Sequence, residues 1–346
     1  MLHFLCWNQN PQVVRWCVGA IAVCCVLLCS GCWREIEVAS PQSFHRPAER
    51  PIDVVVTVGM VGDLVRAVGG DEVVVHQMLG AGVDPHLYKA SRDDVRMVMQ
   101  ADLVFYSGLM LEGKLFSVLE KVGRTRPVFA VTQGIPANQL LGEAESHGHH
   151  DPHVWMDPNL WGQAADEVAR VLSELDPENA PKYQANLSEY RKQLDALDTY
   201  ARQAIESIPR EQRVFVTSHD AFQYFGRAFD IEVQGIQGIS TESEAGLLDV
   251  NRLVDLLVER KVPTVFFESS VPARSIEALV AGVEARGHHI EIRGPMYSDA
   301  MGSAGTYEGT YIGMIDHNVT LIAMGLGGSV SPGGMNGRLS LIEHGE

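Results

Sequence analysis

The chain has 346 residues, which is enough for two domains, and 46% of them are hydrophobic, as in an ordinary soluble globule. Its 27 basic and 44 acidic residues give a formal net charge of −17. This charge argues against nucleic acid as a partner, because phosphate groups would be repelled, and it favours a weak general attraction for cations.

The cysteines are confined to the first 32 positions, which indicates a targeting segment there: Cys6, Cys17, Cys24, Cys25, Cys29 and Cys32. Arg15 precedes an apolar stretch, VGAIAVCCVLLCSGC (18–32), that is short for a membrane-spanning helix and ends in small residues. Its ending, CSGC, resembles the lipobox of bacterial lipoproteins, although Cys29 replaces the usual leucine. In those proteins the signal is cleaved before the last cysteine, here Cys32, whose thiol receives a diacylglycerol. The alternatives are an ordinary signal peptide cleaved nearby and an uncleaved anchor.

The residues between this leader and position 52 carry little pattern. Removal of 1–31 would leave a single cysteine, Cys32, so that no intramolecular disulfide could form. Residues 32–51 are polar, include prolines and show no periodicity, which is typical of a flexible tether. The sequence thus predicts a lipoprotein signal peptide over 1–31, a lipid on Cys32 and a tether over 32–51.

The first part of the body, 52–160, alternates apolar runs with helical patterns. The runs are DVVVTVG (53–59), VVVHQML (73–79), DLVFYSG (102–108) and PVFAVT (127–132). They are rich in β-branched residues and almost continuously apolar, which is typical of parallel strands covered on both faces. Ser91 is a candidate N-cap for a helix over 91–100. We therefore expect an N-terminal α/β lobe.

A long helical pattern follows within 161–209. Over 177–209 the apolar residues recur every three or four positions and form one stripe: Tyr183, Leu187, Tyr190, Leu194, Leu197, Ala201, Ile205 and Ile208. A helix of roughly 27 residues would be about 40 Å long. Such a helix could join two lobes, although a surface helix of one domain would show the same stripe.

The second part of the body, 210–328, contains four more strand-like runs: 213–219, 231–236, 264–270 and 288–294. The capping box formed by Thr241 and Glu244 predicts a helix over 242–260. The tail, 329–346, extends past the last predicted helix and is expected to be disordered or loosely packed. Together these patterns predict an α/β fold with two parallel-sheet lobes, joined by a long backbone helix and separated by a cleft.

Four side chains that can bind a metal follow strands of the two lobes: His86, His153, His219 and Asp299. Ligands of open α/β sheets bind at the carboxyl edge of the strands, so these side chains can converge if the lobes face each other. Three imidazoles and one carboxylate form a full tetrahedral shell for a divalent ion such as zinc. A single loop histidine is more often a hydrogen-bonded surface residue, and only the coincidence of four candidates favours a metal site.

Both His86 and His153 stand directly after an Asp-Pro step. Proline fixes φ and restricts the residue before it, which lowers the entropy lost when a loop is locked around an ion. Asp84 and Asp151 are expected to accept hydrogen bonds from the ring N–H groups. Glu268 is expected to orient a neighbouring loop. The remaining candidates are expected to be structural or solvated: Trp155, Trp161, His288, His289 and His317.

Six segments of the chain, in order, resemble the zinc- and manganese-binding solute-binding lipoproteins of bacterial ABC importers, known as the metal-binding cluster A-I family. The segments are VDPHLYKAS (83–91), DPHVWMDP (151–158), DPENAPKYQANLSEY (176–190), FVTSHDAFQYFGRAFDI (215–231), FFESSVPARSIEAL (266–279) and YSDAMG (297–302). A seventh, GTYEGTYIGMIDHN (305–318), matches in interrupted form. Ordered agreement over about 53–326 is far more specific than a single motif.

The resemblance implies that one metal ion is held between the lobes by four residues: His86, His153, His219 and Asp299. It also implies that the protein delivers this ion to a membrane permease rather than catalysing a reaction. We therefore expect a monomer outside the cytoplasm, anchored to the membrane through its lipid. Members that favour manganese tend to carry glutamate at the third position, so His219 favours zinc, with manganese as the alternative.

The chain departs from the family in the loop before the second ligand. Zinc-type members often carry a long histidine- and acid-rich loop there, whereas this chain has GEAESHGHHDPH (142–153). Its His147, His149 and His150 are candidates for transient metal capture, and solvated loop residues would look the same. Two other functions stay open: a metal-dependent hydrolase with an open zinc position, and a surface adhesin on the same scaffold. The sequence contains no HExxH or G-x-S-x-G pattern that would support hydrolysis.

Overall fold

The structure is a computed structural model that describes residues 50–142 and 149–341. The predicted signal peptide over 1–31, the lipid on Cys32 and the tether up to position 49 lie outside these residues. So do His147 and the last positions of the tail, 342–346. No helix within the two described ranges is both long and apolar enough to cross a membrane.

The N-terminal lobe is a four-stranded parallel sheet with helices packed against it. In chain order its elements are β1 (Ile52–Val56), α1 (Gly59–Gly69), β2 (Val73–Gln77), α2 (Arg92–Gln100), β3 (Leu103–Tyr106), α3 (Phe116–Gly123) and β4 (Val128–Ala130). The strand order is β2-β1-β3-β4, and Val54 of β1 pairs with Val75 on one side and Leu103 on the other. The four strands predicted for this lobe are confirmed.

Helix α2 begins as the sequence predicts. The hydroxyl of Ser91 accepts the backbone N–H of Asp94 at 3.2 Å, and the carboxylate of Asp94 accepts the backbone N–H of Ser91 at 2.7 Å. This reciprocal capping box satisfies two backbone groups that would otherwise lack a partner at the start of the helix.

Two consecutive helices form the middle of the chain. Helix α4 (Pro158–Leu175) starts after Asp157, whose carboxylate accepts the backbone N–H of Asn159 at 2.9 Å. Helix α5 (Ala180–Glu206) is the predicted long helix, and it has 27 residues. Its apolar stripe is buried along the whole length of the helix.

Helix α5 contacts both lobes. Near its start, the side-chain amide of Asn186 donates to the carbonyl of Val68 in α1 at 2.9 Å. Near its end, the hydroxyl of Tyr200 lies 2.7 Å from the hydroxyl of Thr320, in the last helix of the C-terminal lobe. These contacts agree with the prediction of a backbone helix that joins two lobes.

The C-terminal lobe contains two parallel strand pairs. Its elements are β5 (Val214–His219), α6 (Gln223–Phe229), β6 (Glu232–Gln237), α7 (Leu247–Arg260), β7 (Thr264–Glu268), α8 (Arg274–Glu284), β8 (Glu291–Met296) and α9 (Tyr311–Gly325). Strand β5 pairs with β6, and β7 pairs with β8. The two pairs lie side by side, with the ring centroids of Phe215 and Phe266 5.1 Å apart. The four predicted strands are therefore present as two adjoining pairs.

The predicted start of helix α7 is wrong. The capping box of Thr241 and Glu244 predicted a helix from position 242, whereas α7 begins at Leu247. The hydroxyl of Thr241 donates instead to the carboxylate of Asp84, in the opposite lobe, at 2.7 Å. A tertiary hydrogen bond thus occupies the group that the local pattern assigned to a helix cap.

The described part of the tail, 329–341, is packed rather than loose, contrary to the prediction. The backbone N–H of Met335 donates to the carboxylate of Asp316 in α9 at 2.9 Å. The side-chain amide of Asn336 donates to the hydroxyl of Tyr307 at 3.0 Å, and Leu339 is only 6% exposed. The tail is therefore anchored to the last helix and the loop before it.

Candidate metal centre

The four predicted site residues come together where the two lobes face each other. His86 lies in the loop after β2, and His153 lies beyond β4, just before a short 3-10 turn at Val154–Met156. In the C-terminal lobe His219 is the last residue of β5, and Asp299 follows β8. One ligand atom from each residue lies within 4.8 Å of the others. The carboxyl edges of both sheets thus bring residues from position 86 to position 299 into one small volume.

The spacing of the donor atoms suits a tetrahedral ion. The Nε2 atoms of His153 and His219 each lie 3.3 Å from an oxygen of Asp299, and Nε2 of His86 lies 3.5 Å from one. A tetrahedron with ligand bonds of about 2.0–2.1 Å has edges of about 3.3–3.4 Å. The imidazole centroids are 5.4 to 6.1 Å apart, so that three rings surround one carboxylate.

The donor atoms are buried and make no hydrogen bonds within the part of the chain that the structure describes. The four residues are at most 3% exposed. The atoms concerned are Nε2 of each histidine and both carboxylate oxygens of Asp299. A buried polar atom without a partner costs on the order of 1–3 kcal/mol, and more when it is charged. Five such atoms directed at one point are the arrangement expected of a site whose partner is an ion.

Two carboxylates fix the orientation of two histidines. The ring Nδ1 of His153 donates to Asp151 at 2.7 Å, and the backbone N–H of His153 donates to the same oxygen at 2.9 Å. Glu268 holds His219 with both of its carboxylate oxygens: one accepts from Nδ1 at 2.5 Å and the other accepts the backbone N–H at 2.8 Å. Each bond to Nδ1 directs Nε2 towards the shared point. The expected role of Asp151 is confirmed, and Glu268 orients His219 rather than a loop.

The expected contact between Asp84 and the ring of His86 is wrong. One oxygen of Asp84 accepts the backbone N–H of His86 at 2.8 Å, and the other accepts the hydroxyl of Thr241 at 2.7 Å. An aspartate that bonds to the backbone two residues further on shapes a turn. Asp84 therefore fixes the loop that carries His86 and ties this loop to the opposite lobe.

The carboxylates also change the charge of the rings they hold. Burial lowers the pKa of His153, but Asp151 and Asp299 outweigh it and raise the pKa to about 9. Burial likewise lowers the pKa of His219, and Glu268 with Asp299 holds that pKa well above its ordinary value. Burial raises the pKa of Asp299, yet His219 and His153 hold it well below the usual range. Without metal, the rings of His153 and His219 are thus held in their protonated form beside the carboxylate of Asp299.

His86 differs from the other two histidines. Burial lowers its pKa, although the carboxylate of Asp299 acts in the opposite direction. His86 also lines a surface hollow of about 330 Å³ together with His149, His150 and Glu242. His86 therefore lies at the accessible side of the site. His149 and His150, two of the histidines considered for transient capture, line the same hollow.

Neighbouring aromatic residues hold the loops of the site through polar contacts. The indole N–H of Trp155 donates to the carbonyl of Ser298, next to Asp299, at 2.9 Å. The hydroxyl of Tyr224 donates to the carbonyl of Asp151 at 2.9 Å. These partners lie 143 and 73 positions apart in the chain, so sequence reasoning identified Trp155 as a packing residue and missed the two contacts.

The remaining aromatic and histidine candidates are structural or solvated, as predicted. The ring nitrogens of His288 and His317 bond to backbone carbonyls at 2.9 and 3.0 Å. The side chain of His289 is 86% exposed. Trp161 is buried and stacks on Tyr311, with the ring centroids 5.5 Å apart.

A candidate metal site between two α/β lobes defines a two-lobed binding protein, and comparison with known proteins identifies its family. The family model described as "ZnuA: Zinc-uptake complex component A periplasmic" matches residues 54–325. The chain therefore belongs to the ZnuA family.

Similar proteins support this assignment along most of the chain. The "Manganese-binding lipoprotein MntA" of Bacillus subtilis is 45% identical over 284 residues, which cover 82% of this chain and 92% of that protein. The "Zinc-binding protein TroA" of Treponema pallidum is 45% identical over 273 residues, covering 79% and 88%. The solved structure of the periplasmic zinc-binding TroA matches with a TM-score of 0.77 and 44% identity, over 80% of this chain and 99% of that one. The predicted two-lobed α/β fold is confirmed.

Proposed function

We propose that the protein captures a divalent transition metal outside the cytoplasm and delivers it to the permease of an ABC importer. The observation that carries this proposal is a set of five buried donor atoms directed at one point, contributed by four residues: His86, His153, His219 and Asp299. Membership of a zinc-uptake family supports transport as the purpose of the site.

Zinc is the favoured metal. Three imidazole nitrogens and one carboxylate form the nitrogen-rich shell that suits zinc, whereas manganese prefers oxygen ligands. Manganese is the alternative, because both oxygens of Asp299 face the site and could bind the ion together. The relatives include both metals, since TroA is named for zinc and MntA for manganese.

Binding and release fit the site better than catalysis. A catalytic zinc usually keeps three protein ligands and one position for water. Here the carboxylate of Asp299 is buried within 3.5 Å of all three histidine nitrogens. An ion held by all four residues would have no position left for a substrate, so we do not favour a hydrolase. Membership of a zinc-uptake family likewise favours transport over adhesion.

The proposed location is the outer face of a membrane, where a lipid on Cys32 anchors a monomer. The ending CSGC and the lipoprotein name of the relative MntA support this anchor. Growth with a labelled fatty acid should label the wild-type chain and leave Cys32→Ala unlabelled. Equal labelling of both chains would overturn the assignment of Cys32.

The hollow beside His86 is the proposed entry side for the ion. His149 and His150 contribute to its wall, and His147 stands close to them in the chain. We assign these three histidines to transient capture. Their joint replacement by glutamine should slow zinc association and leave the final affinity nearly unchanged. An unchanged association rate would remove them from the pathway.

Competition between zinc and manganese at buffered free-ion levels, followed by elemental analysis of the mature chain, tests the proposed function. We expect one equivalent of zinc in the wild type. His153→Ala should lose most of the metal, because it removes a buried ligand atom and leaves Asp151 without its ring partner. His289→Ala is the matched control, since this exposed ring lies outside the site. A metal-free wild type, or normal binding by His153→Ala, would overturn the proposal.

A further inference from the structure

Two neighbouring leucines at the start of α7 are exposed to an unusual degree. Leu247 is 84% exposed and Leu248 is 85% exposed. Among the residues that the structure describes, the other exposed large hydrophobic side chains reach at most 46%. Single exposed apolar residues are common, whereas an adjoining pair that adds to a larger apolar surface marks an interaction site.

A groove of mixed polar and apolar lining adjoins Leu247. It has a volume of about 630 Å³, and its apolar wall includes Leu247, Val250, Val271 and Pro272. We call Leu247, Leu248 and this groove the leucine patch. Projecting side chains beside a recess give a surface that a partner can bury with good complementarity.

Acidic side chains border the leucine patch. Glu244 lines the groove and Asp249 lies in the first turn of α7, whereas Glu242, before them in the chain, is paired with Lys114. Arg274 contributes one basic side chain to the lining of the groove. A negatively charged membrane surface would be repelled by this border, so the charge favours a protein partner with basic groups around an apolar recess.

The segment that leads into the leucine patch is bonded to the loop of the metal site. Thr241 donates to Asp84, which fixes the loop of His86, and Glu242 lies 3.4 Å from Lys114. Both contacts cross from the C-terminal lobe to the N-terminal lobe. The segment before the leucine patch therefore bridges the two lobes beside the loop of His86.

We propose that the leucine patch is the docking surface for the extracytoplasmic face of the permease, where an apolar recess with a basic border receives Leu247 and Leu248. This inference rests on the proposed function and adds the surface through which the partner binds. A few side chains near the centre of a protein interface carry most of its affinity. Because Thr241 connects the patch to the loop of His86, docking and metal release influence each other.

The test compares zinc uptake with zinc binding. Cells that produce the double variant Leu247→Gln/Leu248→Gln as their only copy receive zinc-65, and the purified variant is titrated with zinc. We expect uptake to fall at least about tenfold, because two central contacts are lost, while the zinc affinity stays unchanged. Val95→Gln/Met99→Gln changes two exposed apolar residues of α2 and should transport normally at the same protein level.

Three results would overturn the inference. The first is normal uptake by the double variant. The second is a reduced zinc affinity, which would make the leucines a support of the site. The third is a wild-type dimer that the substitutions dissociate, which would assign the leucine patch to a second copy of the chain.

A variant with reversed charges tests the acidic border of the leucine patch independently of the two leucines. Glu244→Lys/Asp249→Lys should lower uptake without changing zinc affinity, and normal uptake would contradict a partner with basic groups. A wild-type chain that supports no uptake would overturn the proposed function together with the docking surface. Normal transport by the double variant would overturn the docking surface alone.

Discussion

Glu268 holds His219 by two hydrogen bonds, one to the ring and one to the backbone. Its negative charge makes the ring a stronger ligand, and its position fixes which nitrogen faces the ion. The substitution Glu268→Gln keeps the size of the side chain and removes the charge, so zinc affinity should fall about 10–100-fold. Competition with a chelator measures this loss, and Glu284→Gln, at the end of α8, is the control. An unchanged affinity would show that the charge of Glu268 is unimportant.

Under the proposed function, zinc binding must displace protons from the four-residue site. Without metal the pKa of His153 is about 9, above its ordinary 6.5, and the pKa of His219 is also raised. Both rings are therefore favoured as imidazolium cations at neutral pH, whereas the lowered pKa of His86 favours its neutral ring. Because a ligand nitrogen must be free of its proton, zinc affinity should increase as the pH rises towards about 9.

Calorimetry in buffers of different ionisation enthalpy counts the displaced protons. We expect about two protons per zinc ion near neutral pH, one from each ring with a raised pKa. The same raised pKa of His153 stabilises the metal-free fold below about pH 6.5, and this stabilisation is lost as the pH rises through about 9. A zinc affinity that is independent of pH, or binding without proton release, would contradict these charge states.

The ligand candidates could be predicted from the sequence because each stands at a recognisable strand end and within a motif. The residues that orient these ligand candidates could not be predicted from the sequence. The bond between Glu268 and His219 joins residues 49 positions apart, and no local pattern encodes which strands will be neighbours. Asp84 shows the opposite error. Because it lies two residues before His86, a contact with the ring was expected, but the turn directs its carboxylate to the backbone N–H of His86.

At the scale of elements, a strong local pattern in the sequence was sufficient to predict a helix. The stripe of α5 repeats over the whole helix, and Ser91 caps α2 through the backbone N–H of Asp94, so the long helix and the N-cap were both predicted correctly. The start of α7 was predicted wrongly, because Thr241 is bonded across the cleft to Asp84. The segment before α7 thus serves the contact between the lobes rather than the helix that follows.

This contact should slow the escape of the metal. Thr241→Val keeps the shape of the side chain and removes the donor to Asp84, which releases the loop of His86 from the opposite lobe. A hydrogen bond to a charged group contributes about 1.5–3 kcal/mol, so zinc dissociation should become about tenfold faster or more. Mixing with excess chelator measures the rate. Thr125→Val, which removes a hydroxyl bond within the N-terminal lobe, is the control, and equal rates for all three chains would contradict the role of Thr241.

At the scale of the whole molecule, the two lobes were predictable from eight apolar runs, since parallel strands with intervening helices pack in few ways. The packing of the tail was not predictable. Its contact with α9 depends on Asp316, a buried carboxylate whose neighbours are fixed only after the lobes have formed. Polar and glycine-rich segments carry no periodic signal that would distinguish a docked tail from a free one.

Helix α5 should limit how far the lobes separate when metal leaves. It is continuous over 27 residues and bonded to opposite lobes through Asn186 and Tyr200. We therefore expect zinc to act mainly on the loop of His86 and the segment before α7. The radius of gyration, on the order of 19 Å for a body of this size, should change by less than about 1 Å. Small-angle scattering of the metal-free and zinc-loaded protein measures the change, and His153→Ala with zinc should match the metal-free curve. A contraction of several ångströms on zinc binding would show a wide hinge that α5 does not restrain.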